Sequence, residues 1–220
     1  MQIANARERV AAAAQRLAAE GLVIGTAGNV SAREGDLVAV TPTGAALAEL
    51  TPGQVAVVDR TGRHVDGELE ATSELELHLG VYGRYDAGAV VHMHAPMATA
   101  LACALDELPI IHYQMLMFGG PVRVAPYATF GTPELAQVTL EALRDRSVAL
   151  MANHGAIAFA HELDSAVEQA LLLEWSCRLY WNAAAVGTPR VLDADQREAA
   201  VSAAVARNYG STHRIAPDDG

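Results

Sequence analysis

Strands interleaved with helices along the whole chain predict an α/β or α+β fold, a sheet with helices packed on it. Three observations carry that expectation. Short apolar runs bounded by turn residues recur at 37–40, 55–58, 89–94, 121–125, 147–152 and 156–160. Longer alanine- and leucine-rich stretches with helix-start and helix-stop residues fall between and around them. Of the 220 residues 51% are hydrophobic and 19% charged, enough for a sizeable core and incompatible with a disordered chain. No repeat, low-complexity tract or Pro/Ser linker divides the sequence, so a single domain over residues 1–220 is expected, with 211–220 as an unassigned tail.

In order, residues 4–20 read as an opening helix stopped by Gly21. Residues 25–29 form a turn too rich in glycine for an element interior, and 41–44 make a second loop between strands 37–40 and 55–58. Thr72 or Ser73 caps a helix to about Tyr85. The buried strand 89–94 leads into a helix with Pro96 in its first turn. Strands 121–125 and 147–152 flank a helix over 133–143, and 156–160 continues the sheet after a break at His154-Gly155. Asp164 caps a long apolar helix ending near Gly187, and Asp193 starts a last helix to about Asn208.

Charge and composition exclude several chemistries. All fifteen cations are arginine, so a Schiff-base lysine, a pyridoxal-linking lysine and a Walker-loop lysine are ruled out. A net charge of -11 disfavours a nucleic-acid or anionic-membrane partner held by bulk electrostatics. Cys103 and Cys177 are too few for a disulfide framework and suit a reducing cytoplasm, the expected location. The first ten residues lack the apolar core of a secretion signal. The uncharged run 87–105 contains two histidines, Gly88 and Pro96, and fits a buried strand turning into a helix better than a membrane span.

His92-Met93-His94 is the sharpest local feature. On a strand, residues i and i+2 share a face, so the two imidazoles converge while Met93 points away, and two such nitrogens are half of a tetrahedral zinc site. Either ring alone also fits a core histidine bonded to backbone. His154, in Asn153-His154-Gly155 at the break between two strands, is a candidate third ligand or a plain turn residue, and Gly155 admits a close backbone. Three neutral imidazoles and one open position are the pattern of a catalytic metal. Glu74, opening a helix, is either a carboxylate complementing the helix dipole or an acid/base beside the metal. Glu76, two positions on, would point away from it.

Three loops, 25–31, 41–44 and Thr72-Ser73, offer hydroxyls and glycine-exposed N–H donors, either as a phosphate cradle or as ordinary turn and cap chemistry. His78 lies one helical turn from Glu74, and His112 adjoins Tyr113 in a loop. His64 reads as a solvated loop residue, His161 as sitting beside a helix cap and His213 as near a polar tail, with Trp175 and Trp181 as core or subunit-interface anchors.

The segments GTAGNVSAR, TPTG, TSE, AVVHMHAP, PIIHY, PYATFGT, ANHGAI and RNYG, in this order, resemble the class II aldolases of the aldolase/adducin superfamily, most closely the bacterial L-fuculose-phosphate aldolase group. The resemblance implies a three-layer αβα fold about a central, mainly antiparallel sheet. It implies one Zn2+ per subunit on His92, His94 and His154, with Glu74 contacting the metal at rest and acting as acid/base once substrate displaces it. Thr26, Gly28, Asn29, Thr43, Gly44, Thr72 and Ser73 match the phosphate loops, and Phe130 a residue on the aldehyde side. Tyr113 and Tyr209 match tyrosines that reach a neighbouring subunit's site in a homotetramer.

The implied reaction is reversible cleavage of a ketose 1-phosphate, foremost L-fuculose 1-phosphate, to dihydroxyacetone phosphate and L-lactaldehyde through a zinc-stabilised enediolate. Sister activities are pentulose-phosphate 4-epimerase, methylthioribulose-phosphate dehydratase and aldolases of other deoxy-sugar phosphates; a non-catalytic adducin-like scaffold would lack the ligands. This chain departs from the family's usual Ser-Ser in the third phosphate loop, reading Thr72-Ser73, and its Glu74-to-His92 spacing is one residue shorter than in the best-known member.

Overall fold

In the computed structural model, residues 2–210 are described. Helix α1 (Gln2–Ala19) turns the buried stripe Ala6, Val10, Ala14 and Leu17 towards the sheet. It ends in paired bonds from Leu22 N–H to Leu17 O and from Gly21 N–H to Ala18 O, with Gly21 left-handed at φ +73. Then follow β1 (Asn29–Glu34), β2 (Leu37–Val40), β3 (Ala56–Asp59), the short β4 (His64–Asp66) and α2 (Leu75–Arg84). The central strand β5 (Ala89–Met93) precedes α3 (Pro96–Ala102), β6 (Glu107–Leu108), a 3-10 segment at Tyr113–Phe118 and β7 (Val122–Ala125). Helix α4 (Pro133–Ala142), β8 (Val148–Met151), β9 (Gly155–Ala160), α5 (Leu163–Val186) and α6 (Ala194–Ala206) complete the order.

The nine strands make one sheet, β4-β3-β2-β1-β5-β9-β8-β7-β6, antiparallel throughout except where β7 meets β8. Strand alternation feeds two cores. Ala89, Val91 and Met93 of β5, with Val148 and Leu150 of β8, face the layer of α1, α3 and α5. Val90, Ala149, Met151 and Ile157 face Leu77, Val81, Leu135 and Ala142 of α2 and α4. Helices thus cover both faces, the three-layer mixed fold expected.

Several boundaries differ from the sequence reading. Glu74, not Thr72 or Ser73, occupies the N-cap position of α2, because the preceding residues are tied to the loop beside them. Glu162 occupies the N-cap position of α5 without a side-chain capping bond, and Asp164 sits in the first turn, where its charge complements the dipole. Asp193 caps α6 as expected, bonding the N–H of Gln196 at 2.8 Å. Asn29 is not the end of a turn but the first residue of β1, a strand missed in the sequence along with β4 and β6. His64 lies exposed on β4 rather than in a loop. Residues 211–220, His213 among them, lie outside the described residues. No described helix is long and apolar enough to cross a membrane.

Candidate metal and active site

His92 and His94 leave the end of β5 on the α2/α4 side, while Met93 between them is buried on the other face, as the i, i+2 spacing requires. His154 comes from the two-strand turn between β8 and β9, with Asn153 left-handed at φ +55 and His154 N–H bonded to Met151 O at 3.1 Å. Gly155 lets that turn close on β5: a Cβ there would sit 2.3 Å from Met93 O. The three rings meet edge to face, with centroids 4.8, 4.9 and 5.0 Å apart, and their nearest ligand atoms lie within 4.8 Å of one another.

Glu74 Oε2 lies 3.1 Å from His92 Nε2 and Oε1 3.4 Å from His154 Nε2. The site's protonation follows from its partners. His92 Nδ1 is 3.0 Å from the carbonyl of Ala156, which only accepts, so Nδ1 carries the proton and a neutral ring presents its Nε2 lone pair inward. That lone pair faces Glu74 Oε2 and, 3.0 Å away, His94 Nε2. Acceptors so placed call for a cation between them. Glu74 Oε1 is buried without a hydrogen-bond partner, a second sign that the residues fit a metal.

Burial above all pushes His94 and His154 down to about 4, so both are neutral at pH 7, as a metal would require of them. In the metal-free site burial opposes ionisation of Glu74, but a proton held between it and His92 Nε2 in the cation's place, the amide of Asn29 and His154 outweigh that and hold the carboxyl below its ordinary range.

Beside these groups opens a cavity of about 530 Å³. The three hydroxyl-rich loops meet in its wall: Thr26, Gly28 and Asn29 from the first, Thr43 and Gly44 from the second, Thr72 and Ser73 from the third. Thr72 N–H bonds Thr41 O at 3.1 Å and Thr43 N–H bonds Glu70 O at 3.0 Å, which joins the second and third loops side by side. Gly28 is left-handed at φ +95, and a Cβ there would strike Val23 Cγ1 at 2.7 Å and His92 O at 3.0 Å. Phe130 also lines the cavity; among the described residues no arginine does.

Sequence reasoning missed Tyr127 and Asn153 in the same wall, although both stand inside the segments PYATFGT and ANHGAI. Tyr113 and Tyr209 do not line this chain's cavity. Their hydroxyls lie 2.9 Å apart on an exposed surface, where His112 packs between Tyr113 and Trp175. Trp175 and Trp181 are both partly exposed, which removes them from the core.

A model of the Class II Aldolase and Adducin N-terminal domain matches residues 8–181. The chain belongs to that family. It is 38% identical over 202 residues to 5-deoxy-D-ribulose 1-phosphate aldolase of Bacillus thuringiensis serovar kurstaki, covering 90% of this chain and 94% of that protein. It is 39% identical over 183 residues to L-fuculose phosphate aldolase of Escherichia coli strain K12, covering 82% and 85%. A solved structure of an L-fuculose 1-phosphate aldolase superposes with a TM-score of 0.86 at 35% identity, covering 90% of this chain and 95% of that one. The chain is therefore a class II aldolase, a lyase, with a histidine trio able to bind a metal.

Proposed function

We propose that this aldolase reversibly cleaves a deoxyketose 1-phosphate, L-fuculose 1-phosphate or 5-deoxyribulose 1-phosphate, to dihydroxyacetone phosphate and a short aldehyde. The single observation that carries this reading is the His92-His94-His154 trio meeting beside Glu74 at the edge of a cavity that three loops of neutral donors wall. Both sugars enter because relatives named for each match this chain at nearly equal identity.

His92, His94 and His154, with Glu74 at rest, would hold a zinc ion, which supplies the Lewis acidity that a lysine-free aldolase needs at the substrate carbonyl. Thr26, Gly28, Asn29, Thr43, Gly44, Thr72 and Ser73 seat the phosphate with hydroxyl and backbone donors, with no arginine among the described residues of the wall, inside a chain of net charge -11. Glu74 carries the proton to and from the carbon that loses its bond, and general acid–base catalysis of this kind contributes about 10²–10⁴-fold. Phe130 borders the aldehyde half. Tyr113 and Tyr209, exposed and turned away from their own cavity, complete the site of a neighbouring subunit in a homotetramer and move the proton on the aldehyde oxygen. The chain works as one catalytic domain, in the cytoplasm, on a small phosphorylated sugar, with no nucleic-acid or membrane partner.

The test is a panel of ketose 1-phosphates and pentulose phosphates scored for dihydroxyacetone phosphate, epimer and dehydrated product. Release of dihydroxyacetone phosphate with acetaldehyde marks 5-deoxyribulose 1-phosphate as substrate, and with lactaldehyde L-fuculose 1-phosphate. Epimerisation or dehydration without cleavage would reject the aldolase reading, and a purified protein with neither metal nor turnover would be a scaffold.

A further inference from the structure

Behind Glu74 a line of buried polar side chains runs between the sheet and α2. Asn29 Nδ2 is 2.9 Å from Glu74 Oε2, and Asn29 Oδ1 is 2.5 Å from His78 Nε2. His78 Nδ1 is 2.7 Å from Ser31 Oγ, which is 2.6 Å from the Tyr82 hydroxyl. Asn29 and Ser31 stand at i and i+2 on β1, His78 and Tyr82 at i and i+4 on α2, so two regular elements fix all four positions. All four residues are buried, and each of these polar side-chain atoms has a partner.

Chemistry sets the direction of every bond. An ionised carboxylate only accepts, so Asn29 must present its NH2 to Glu74 and its oxygen to His78. His78 therefore donates from Nε2. A neutral ring then has a bare Nδ1, which takes the hydroxyl hydrogen of Ser31, and Ser31 in turn accepts from Tyr82. Burial pushes His78 down to about 3 against the pull of Glu74, in keeping with a neutral ring. A second proton on His78 would take the acceptor from the Ser31 hydrogen, and either that hydrogen or the one on Tyr82 would lose its place in the line. Only one arrangement satisfies every atom.

The geometry points to Asn29, His78, Ser31 and Tyr82 as a positioning relay that anchors Oε2 of Glu74 and leaves Oε1 as the oxygen that handles the substrate proton. Oε1 is the buried carboxylate atom with no hydrogen-bond partner, while Oε2 is held by the Asn29 amide. His78, Ser31 and Tyr82 lie outside the cavity wall and act only through Asn29. The relay rests on Glu74 being the acid/base of the proposed reaction.

His78→Phe keeps a ring but removes both nitrogens, freeing the Asn29 amide to turn. It should lower kcat roughly 10–100-fold, the usual effect of losing a group that orients a site carboxylate, with KM and metal content little changed. His78→Gln, whose amide N–H can reach Asn29, should restore much of that loss, and Tyr82→Phe, at the far end, should cost less than His78→Phe. An unchanged kcat in His78→Phe would overturn the relay. So would a loss that falls on KM or on metal content, or a glutamine no better than the phenylalanine.

Nitrogen-15 imidazole spectra of the unmutated, metal-loaded enzyme at neutral pH should show His78 protonated on Nε2 and bare at Nδ1; the opposite tautomer, or a doubly protonated ring, overturns the proposal. That spectrum needs neither turnover nor a variant that folds. It decides the relay even where no deoxyketose phosphate is cleaved, a result that would strike the proposed function instead.

Discussion

Behind one side of the cavity His92 is fully buried with its Nδ1 bonded to Ala156 O, and Glu74 is 8% exposed with its Oε2 held by Asn29; on the other side Tyr127 and Phe130 are 64% and 70% exposed. The first side stands on the centre of the sheet, where β5 is paired on both edges and the β8–β9 turn closes against it. The second stands on the loop between β7 and α4. Groups that make and break bonds need sub-ångström placement, which packed strands supply. Groups that sort aldehydes by contact tolerate a looser frame, and a few apolar contacts discriminate only weakly. The contrast separates a half held by packed strands from a half held by an exposed loop within one pocket.

Substitutions can break that separation, and the largest effect is expected at the carboxylate. Glu74→Gln should cut kcat about 10²–10⁴-fold while metal stays bound, measured by dihydroxyacetone phosphate release beside metal analysis; full turnover would remove Glu74 from proton transfer. Next, His94→Ala should reduce metal content per chain and turnover together. Chelation of the unmutated protein should abolish turnover, and zinc should restore it.

Acid should act on the same half. In the metal-free protein His94 and His154 are held at about 4 against 6.5 in an unfolded chain, and His78 at about 3. Their folded-state values are lowered, so the stability they confer is complete above about pH 6.5 and is lost as pH falls towards 4, where the unfolded chain binds protons that the folded one refuses. Glu74, lowered too, acts in the same direction further down. Thermal melts across that range should show the slope, and a flat profile would contradict it.

The tyrosines sharpen the comparison from outside the chain. Tyr113→Phe should slow turnover, and mixing it with inactive Glu74→Gln subunits should recover activity, since a mixed assembly holds some sites with both groups intact. No recovery would place the tyrosines outside a shared site. The smallest effect belongs to the rim: Phe130→Ala should shift the preference between acetaldehyde and lactaldehyde by about 10-fold, within the 1–3 kcal/mol that an apolar contact commands, and leave metal content alone.

What the sequence revealed follows the same division. His92 and His94 were legible because a two-residue period on a β-branched strand admits only one sidedness, and Asn153-His154-Gly155 was legible because a turn had to interrupt two apolar runs. Strand β1 was not. Its Asn29, Ser31, Arg33 and Glu34 look like loop residues, yet Asn29 and Ser31 are buried and bonded to Glu74, His78 and Tyr82. Pattern reading fails there because only Val30 and Ala32 carry the apolar alternation, and the polar residues between them, buried for their hydrogen bonds, read as a turn. The cap of α2 was misplaced for a related reason, since Thr72 bonds the backbone of Glu74 two residues on instead of opening the helix itself. Tyr127 carried no signal beyond its segment, because an exposed aromatic on a loop has no periodicity to betray it.

The absence of lysine has one more result. Aldehydes condense with primary amines, and an enzyme that liberates an aldehyde at every turn bathes its own surface in a carbonyl electrophile. Its fifteen arginines supply all the side-chain cations without a single ε-amino group, so glycation by its own product finds no lysine to attack.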